Sequence, residues 1–191
     1  MPMQDDIEHV LIDRAAISTR LDELAKTIAA DLLAETKEGP GEITLVPILT
    51  GGIIFLADLI RRLPMPMQIR VMSVTSYPGT ATSSRGASIE TELTKLPKDL
   101  SNNHVVVIDD ILDSGNTLKL VKEVIQKRNP ISLRTCVLLR KRIPSAMSFQ
   151  VDYAAFDIPD EFVVGYGLDF NDYYRNLPDI VTLKKHVYSQ A

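Results

Sequence analysis

A single cysteine, Cys136, excludes an internal disulfide and any site built on several thiolates, as suits a reducing compartment. It lies in the apolar run Thr135-Cys136-Val137-Leu138-Leu139 and reads as a small buried hydrophobe rather than a nucleophile. Positive charge is not in excess: 21 Lys and Arg face 25 Asp and Glu, a net charge of -4, so no overall field draws the chain to nucleic acid or an anionic membrane. That leaves room only for a local basic patch. No apolar stretch is clean enough to span a bilayer, because residues 43–60 contain Pro47, Gly51, Gly52 and Asp58 and stop at Arg61-Arg62. The first 14 residues carry four acids and no apolar run, unlike a secretory or transit peptide. A Walker A loop is missing, and Gly165-Tyr166-Gly167 lacks the third glycine of a dinucleotide fingerprint. These absences predict a soluble, cytoplasmic protein.

What is present is one domain's worth of core: 191 residues, 45% hydrophobic and 24% charged, with no repeat, low-complexity tract or linker. Residues 1–191 are expected to form a single domain. From Ile17, the spacing of Leu21, Leu24, Ile28 and Leu32 predicts an amphipathic helix ended by Gly39-Pro40-Gly41. The run 43–49 predicts a buried strand feeding Thr50-Gly51-Gly52 and then a helix over 53–62. Residues 69–74 predict a second strand, followed by a polar segment, 75–88, that reads as a long mobile loop. A third strand, 104–108, enters Asp109-Asp110-Ile111-Leu112-Asp113-Ser114-Gly115-Asn116-Thr117, and a helix follows with Leu118, Val121 and Ile125 inward, closed by Asn129-Pro130. Two more strands are predicted over 132–139 and 151–156. The alternation implies an α/β fold with a mainly parallel central sheet and helices on both faces.

In such sheets ligands gather beyond the carboxyl ends of the strands, which here carry Gly51-Gly52, Asp109-Asp110 and Lys141. Within 113–117, Gly115 permits close backbone approach, Ser114 and Thr117 bring hydroxyls, and successive N–H groups open a helix, which makes a phosphate cradle. Two acids beside it would repel a bare phosphate but can accept from the 2′ and 3′ hydroxyls of a ribose, so the nonapeptide reads as a ribose-phosphate site. The plainer reading is a solvated acidic turn capping a helix.

The stretch from Val105 to Leu118 resembles the phosphoribosyl pyrophosphate signature of type I phosphoribosyltransferases. Leu138-Leu139-Arg140-Lys141-Arg142 and the segment from Asp157 to Asn171 are similar to the purine-binding elements of the hypoxanthine-guanine branch. With Gly51-Gly52 and Ser76-Tyr77, the resemblance covers residues 43–175. It implies the type I fold with a small purine-binding hood, and transfer of a phosphoribosyl group to hypoxanthine or guanine with release of pyrophosphate.

By this resemblance Asp113 is the general base or acid near purine N7, and Lys141 donates to the 6-oxo group, disfavouring adenine. Phe162 stacks on the purine, the Val163 backbone reads its edge, and Asp169 holds magnesium, Mg2+, beside the base. Asp109, Asp110, Ser114, Gly115, Asn116 and Thr117 take the ribose phosphate; Thr50, Gly51, Gly52 and Arg175 take pyrophosphate; Ser76 and Tyr77 belong to a lid that shields a cation-like transition state from water. A homodimer or homotetramer is implied, with a purine base and phosphoribosyl pyrophosphate as partners. Singly, Phe162 reads equally as core, Lys141 as one charge of a basic turn and Arg175 as a surface residue.

The sequence departs from the pattern at three points, one of them the lid, where little beyond Ser76-Tyr77 matches. Mammalian enzymes carry Lys where Thr50 stands, so pyrophosphate leans here on backbone N–H groups, magnesium and Arg175. The first acid of the signature is commonly Glu, and Asp109 is one methylene shorter. A rival from another class is a regulator of the same fold that senses phosphoribosyl pyrophosphate or a nucleotide without catalysis. A receiver-like signalling domain is a third, but it leaves 113–117 and 162–169 unexplained.

Overall fold

Hydrophobic alternation across two faces sets the sheet. In β2 (Glu42–Leu49), β6 (Asn103–Leu112) and β7 (Ser132–Lys141), Leu45, Val106, Ile108, Cys136 and Leu138 enter one core while Val46, Val105, Val107 and Val137 enter another. Strands buried on both faces read as near-continuous apolar runs, and they demand cover on each side. The computed structural model describes residues 3–75, 88–89 and 96–188. One face is covered by α1 (Arg14–Glu38), through Ile17, Leu21, Leu24, Ile28 and Leu32, together with Phe55 and Leu59 of α2 (Gly52–Ile60). The other is covered by Leu118, Val121 and Ile125 of α3 (Asn116–Gln126).

The remaining elements are a 3-10 turn, Met3–Asp6, β1 (Ile7–Ile12), β3 (Gln68–Ile69), β4 (Met72–Thr75), β5 (Ser88–Ile89), α4 (Pro144–Ser148), β8 (Tyr153–Ile158), β9 (Val163–Val164), β10 (Ile180–Leu183) and α5 (Lys185–Tyr188). The main sheet runs β5-β4-β2-β6-β7-β8, with β3 also on β2. Its β2, β4, β6, β7 and β8 pair in parallel, and only the β4–β5 edge is antiparallel. The expected α/β architecture is therefore present.

Three details differ from the sequence reading. The strand expected over 69–74 is two short pieces on the β2 edge, because the Arg70 N–H donates to the Leu45 oxygen and Arg70-Val71 breaks the ladder. Thr75 and Ser88, the ends of the expected loop, pair with each other across β4 and β5. The helix expected from Ile17 begins at Arg14, capped by the Asp13 carboxylate accepting from the Ala16 N–H at 2.7 Å.

A second sheet, β1-β10-β9, is antiparallel and forms the hood. In β9 the two side chains divide: Val163 enters the main core and Val164 the hood cluster of Leu177, Val181 and Leu183, which ties hood to body. Among the described residues no helix is long and apolar enough to cross a membrane.

Candidate active site

The parallel register brings the carboxyl ends of β2, β6 and β7 to one edge, with the hood turn over them. Between them lies a cleft of about 790 Å³ lined by Thr50, Gly51, Asp109, Asp110, Asp113, Ser114, Gly115, Thr117, Asp169, Asp172 and Arg175. Residues chosen from four separate stretches of sequence thus share one cavity.

At the floor, Asp109 is 6% exposed. Its Oδ1 accepts from the Asp110 N–H at 3.1 Å, and Asp110 Oδ1 accepts from the Ile111 N–H at 2.8 Å. Burial pushes both carboxyls above their ordinary range, repulsion from Asp110 adds to the rise at Asp109, and Arg175 partly offsets it at Asp110. The Thr50-Gly51 turn lies against Asp110: a Cβ on Gly51 would stand 1.7 Å from Asp110 Oδ2, so glycine is the residue that fits. Gly52, the buried first residue of α2, sits behind the loop and does not line the cleft.

The chain leaves β6 through Asp113 and Ser114 and enters α3 at Gly115, whose φ of 80° is left-handed and whose Cβ would meet the Phe149 ring at 2.9 Å. Asn116, expected at the ribose phosphate, is the exposed first residue of α3, with its N–H 3.4 Å from Ser114 Oγ, and is not part of the lining.

At the end of β7, Lys141 Nζ lies 3.2 Å from Asp113 Oδ2 and 3.0 Å from Asp160 Oδ1. Burial works to lower this ammonium's pKa, but the bonds to Asp160 and Asp113 prevail and raise it. Above the cleft, Arg175 pairs ionically with Asp169 Oδ1 at 2.8 Å and donates to Asp172 Oδ1 at 2.8 Å and to the Gly167 oxygen at 2.9 Å. Asn171, Asp172 and Tyr174 hold φ of 52°, 66° and 70°, a tight turn that returns Arg175 over the acids.

Phe162 is 45% exposed, which removes the core reading; it meets Phe170 edge-on at 5.7 Å and Tyr188 at 5.5 Å. It lies with Asp160 on a neighbouring hollow rather than in the main cleft, while Val163 is buried and pairs with Thr182. Ser76 and Tyr77, the expected lid dipeptide, lie outside the described residues. Cys136 is fully buried, and burial pushes its thiol well above the ordinary range, as befits an inert core residue. Asp160 and Asp172 were not singled out by sequence reasoning.

Among the described residues, five carboxylates, Asp109, Asp110, Asp113, Asp169 and Asp172, line the cleft against one guanidinium, Arg175. A polyanionic ligand fits such a wall only with a divalent cation between them. Among the described residues no three His, Cys, Asp or Glu side chains are grouped to hold a metal alone.

The phosphoribosyl transferase domain model matches residues 16–171. The hypoxanthine-guanine phosphoribosyltransferase of Mycobacterium avium is 41% identical over 97% of this chain and 90% of its own length. The chain belongs to the hypoxanthine-guanine phosphoribosyltransferase family. Solved members of that family share the fold: a hypoxanthine phosphoribosyltransferase from Staphylococcus aureus superposes with a TM-score of 0.85 at 36% identity, covering 98% of this chain and 97% of that one. One from Trypanosoma cruzi, in complex with the product IMP, gives 0.81 at 35% identity, covering 96% and 98%. The type I fold with its hood is the family's, and all of these relatives are named as enzymes; nothing supports the regulator reading.

Proposed function

We propose that this chain transfers the phosphoribosyl group of phosphoribosyl pyrophosphate to N9 of hypoxanthine or guanine, giving the nucleoside 5′-monophosphate and pyrophosphate in purine salvage. The observation that carries the reading is the shared cleft: Asp109 and Asp110, the cradle residues Asp113, Ser114, Gly115 and Thr117, and Arg175 all line one cavity.

Asp109 and Asp110 accept from the ribose hydroxyls, while Ser114, Thr117 and the N–H groups entering α3 hold the 5′-phosphate. Pyrophosphate leaves C1 toward Thr50, Gly51 and Arg175 as positive charge develops on the ribose, and the purine nitrogen attacks the opposite face. Asp113 exchanges the proton at N7 as the glycosidic bond forms. Lys141 donates to the 6-oxo oxygen, a contact that an exocyclic amine does not reward, and Phe162 supplies an aromatic face for the base. Asp169 would hold a magnesium ion, which when bound would supply positive charge to neutralise the leaving pyrophosphate.

A cytoplasmic location and a homodimer or homotetramer complete the proposal. Ile53 and Ile54 leave apolar side chains on the outside of α2, 45% and 39% exposed, which supports association; light scattering after size exclusion checks it, and a monomer alone would remove it. The reaction is tested by a spectrophotometric assay with magnesium and phosphoribosyl pyrophosphate, offering hypoxanthine, guanine, xanthine, adenine and uracil in turn. Turnover is expected with a 6-oxopurine and not with adenine or uracil. Tight binding of phosphoribosyl pyrophosphate with no turnover of any base would contradict the reading.

A further inference from the structure

Lys141 is the least exposed member of a three-residue charge cluster: its side chain is 13% exposed, against 54% for Asp113 and 63% for Asp160. An ammonium has three N–H donors in tetrahedral directions, and here two carboxylates from different elements engage it. Asp160 is not a freely waving surface acid. The ends of β7 and β8 are stapled together by Arg140, which donates to Asp157 at 2.6 and 3.0 Å, and by the Arg142 N–H, which donates to the Ile158 oxygen at 2.8 Å. The turn bearing Asp160 is therefore held against the strand end bearing Lys141.

A lysine paired with Asp113 alone would stabilise the carboxylate and oppose its taking a proton from the purine. We propose that Asp160 is a positioning residue for 6-oxopurine recognition: it draws the Lys141 ammonium partly off Asp113 and leaves its third N–H aimed at the 6-oxo oxygen. Asp160 acts through Lys141 and touches no reacting atom. The inference deepens the proposed function and rests on the assignment of Lys141 and Asp113 to the purine. Other charged groups sharing the cleft with Asp113 are Asp109 and Asp110 from β6 and Asp169, Asp172 and Arg175 from the hood turn, while α4 contributes the Ser145 hydroxyl to the Asp113 backbone oxygen.

The test compares Asp160→Asn with Lys141→Met in the full chain. For Asp160→Asn, KM for hypoxanthine is expected to rise about tenfold, as for loss of a charged hydrogen bond's aim. The KM for phosphoribosyl pyrophosphate stays near the parent, so the loss is confined to the purine. Asp160→Glu restores the purine KM in part. Asp160→Ser, which removes the same charge, repeats the result should the amide disturb the turn. An unchanged purine KM in both charge-removing variants, where Lys141→Met does raise the purine KM, overturns this inference alone. A Lys141→Met enzyme with the parent's purine KM overturns the site assignment and the inference with it.

Discussion

Asp109 is almost fully buried beside a second carboxylate, and its carboxyl is pushed up by burial and then by Asp110. The folded protein accordingly binds more protons than the unfolded chain from the ordinary carboxylate range up to the raised value. Stability tied to this group is present at low pH and lost as pH rises through that window. Asp109→Asn removes the charge that is costly to bury, so urea midpoints should rise, more at pH 8 than at pH 5, while kcat/KM falls about 10- to 100-fold for want of a charged acceptor for ribose. Gly51→Ala is the complementary case. The new Cβ would stand 1.7 Å from Asp110 Oδ2 and must displace that carboxylate, so KM for phosphoribosyl pyrophosphate should rise more than KM for the purine in steady-state assays. Most of this floor was legible in the sequence, because strand, acid pair and phosphate cradle are contiguous. Asp160 was not, since its role comes from Lys141, 19 residues away and on another strand. Asp172 acquires its role only when a turn of left-handed residues brings Arg175 back over it.

Among the elements, β2, β6 and β7 were readable because burial on both faces makes each an apolar run. The hood strands were not readable from pattern: β1 is mostly exposed, and β9 is two residues long, so neither leaves a periodic trace. They were expected only through the family resemblance. The attachment of α1 also escapes a pattern of apolar spacing. Glu35 accepts from both Arg134 guanidinium nitrogens at 2.7 and 2.8 Å and from Ser132 at 3.2 Å, fastening the end of α1 to the start of β7. Glu35→Ala should cost about 1–3 kcal/mol, the range for charged hydrogen bonds and for a guanidinium left unpaired in a partly buried place. Chemical denaturation would read this loss, with kcat/KM little changed, since the contact lies at the end of the sheet opposite the cleft.

For the whole molecule, charge decides what the cleft accepts. A chain of net charge -4, with five carboxylates and one arginine around the cavity among the described residues, repels a bare polyanion. Calorimetry should therefore detect phosphoribosyl pyrophosphate binding with millimolar magnesium and lose it in EDTA; equal affinity in both would oppose a metal-bridged ligand. The parallel sheet gathers the ligand groups at one end, and the hood closes over them with Asp169 and Arg175. The most direct measurement of the account is single-turnover transfer to hypoxanthine by the parent enzyme and by Asp113→Asn, alongside the Kd for phosphoribosyl pyrophosphate with magnesium. The account predicts a rate loss of about 10²- to 10⁴-fold, the range for a positioned general base or acid, with Kd nearly unchanged. Transfer by Asp113→Asn at the parent rate would contradict it.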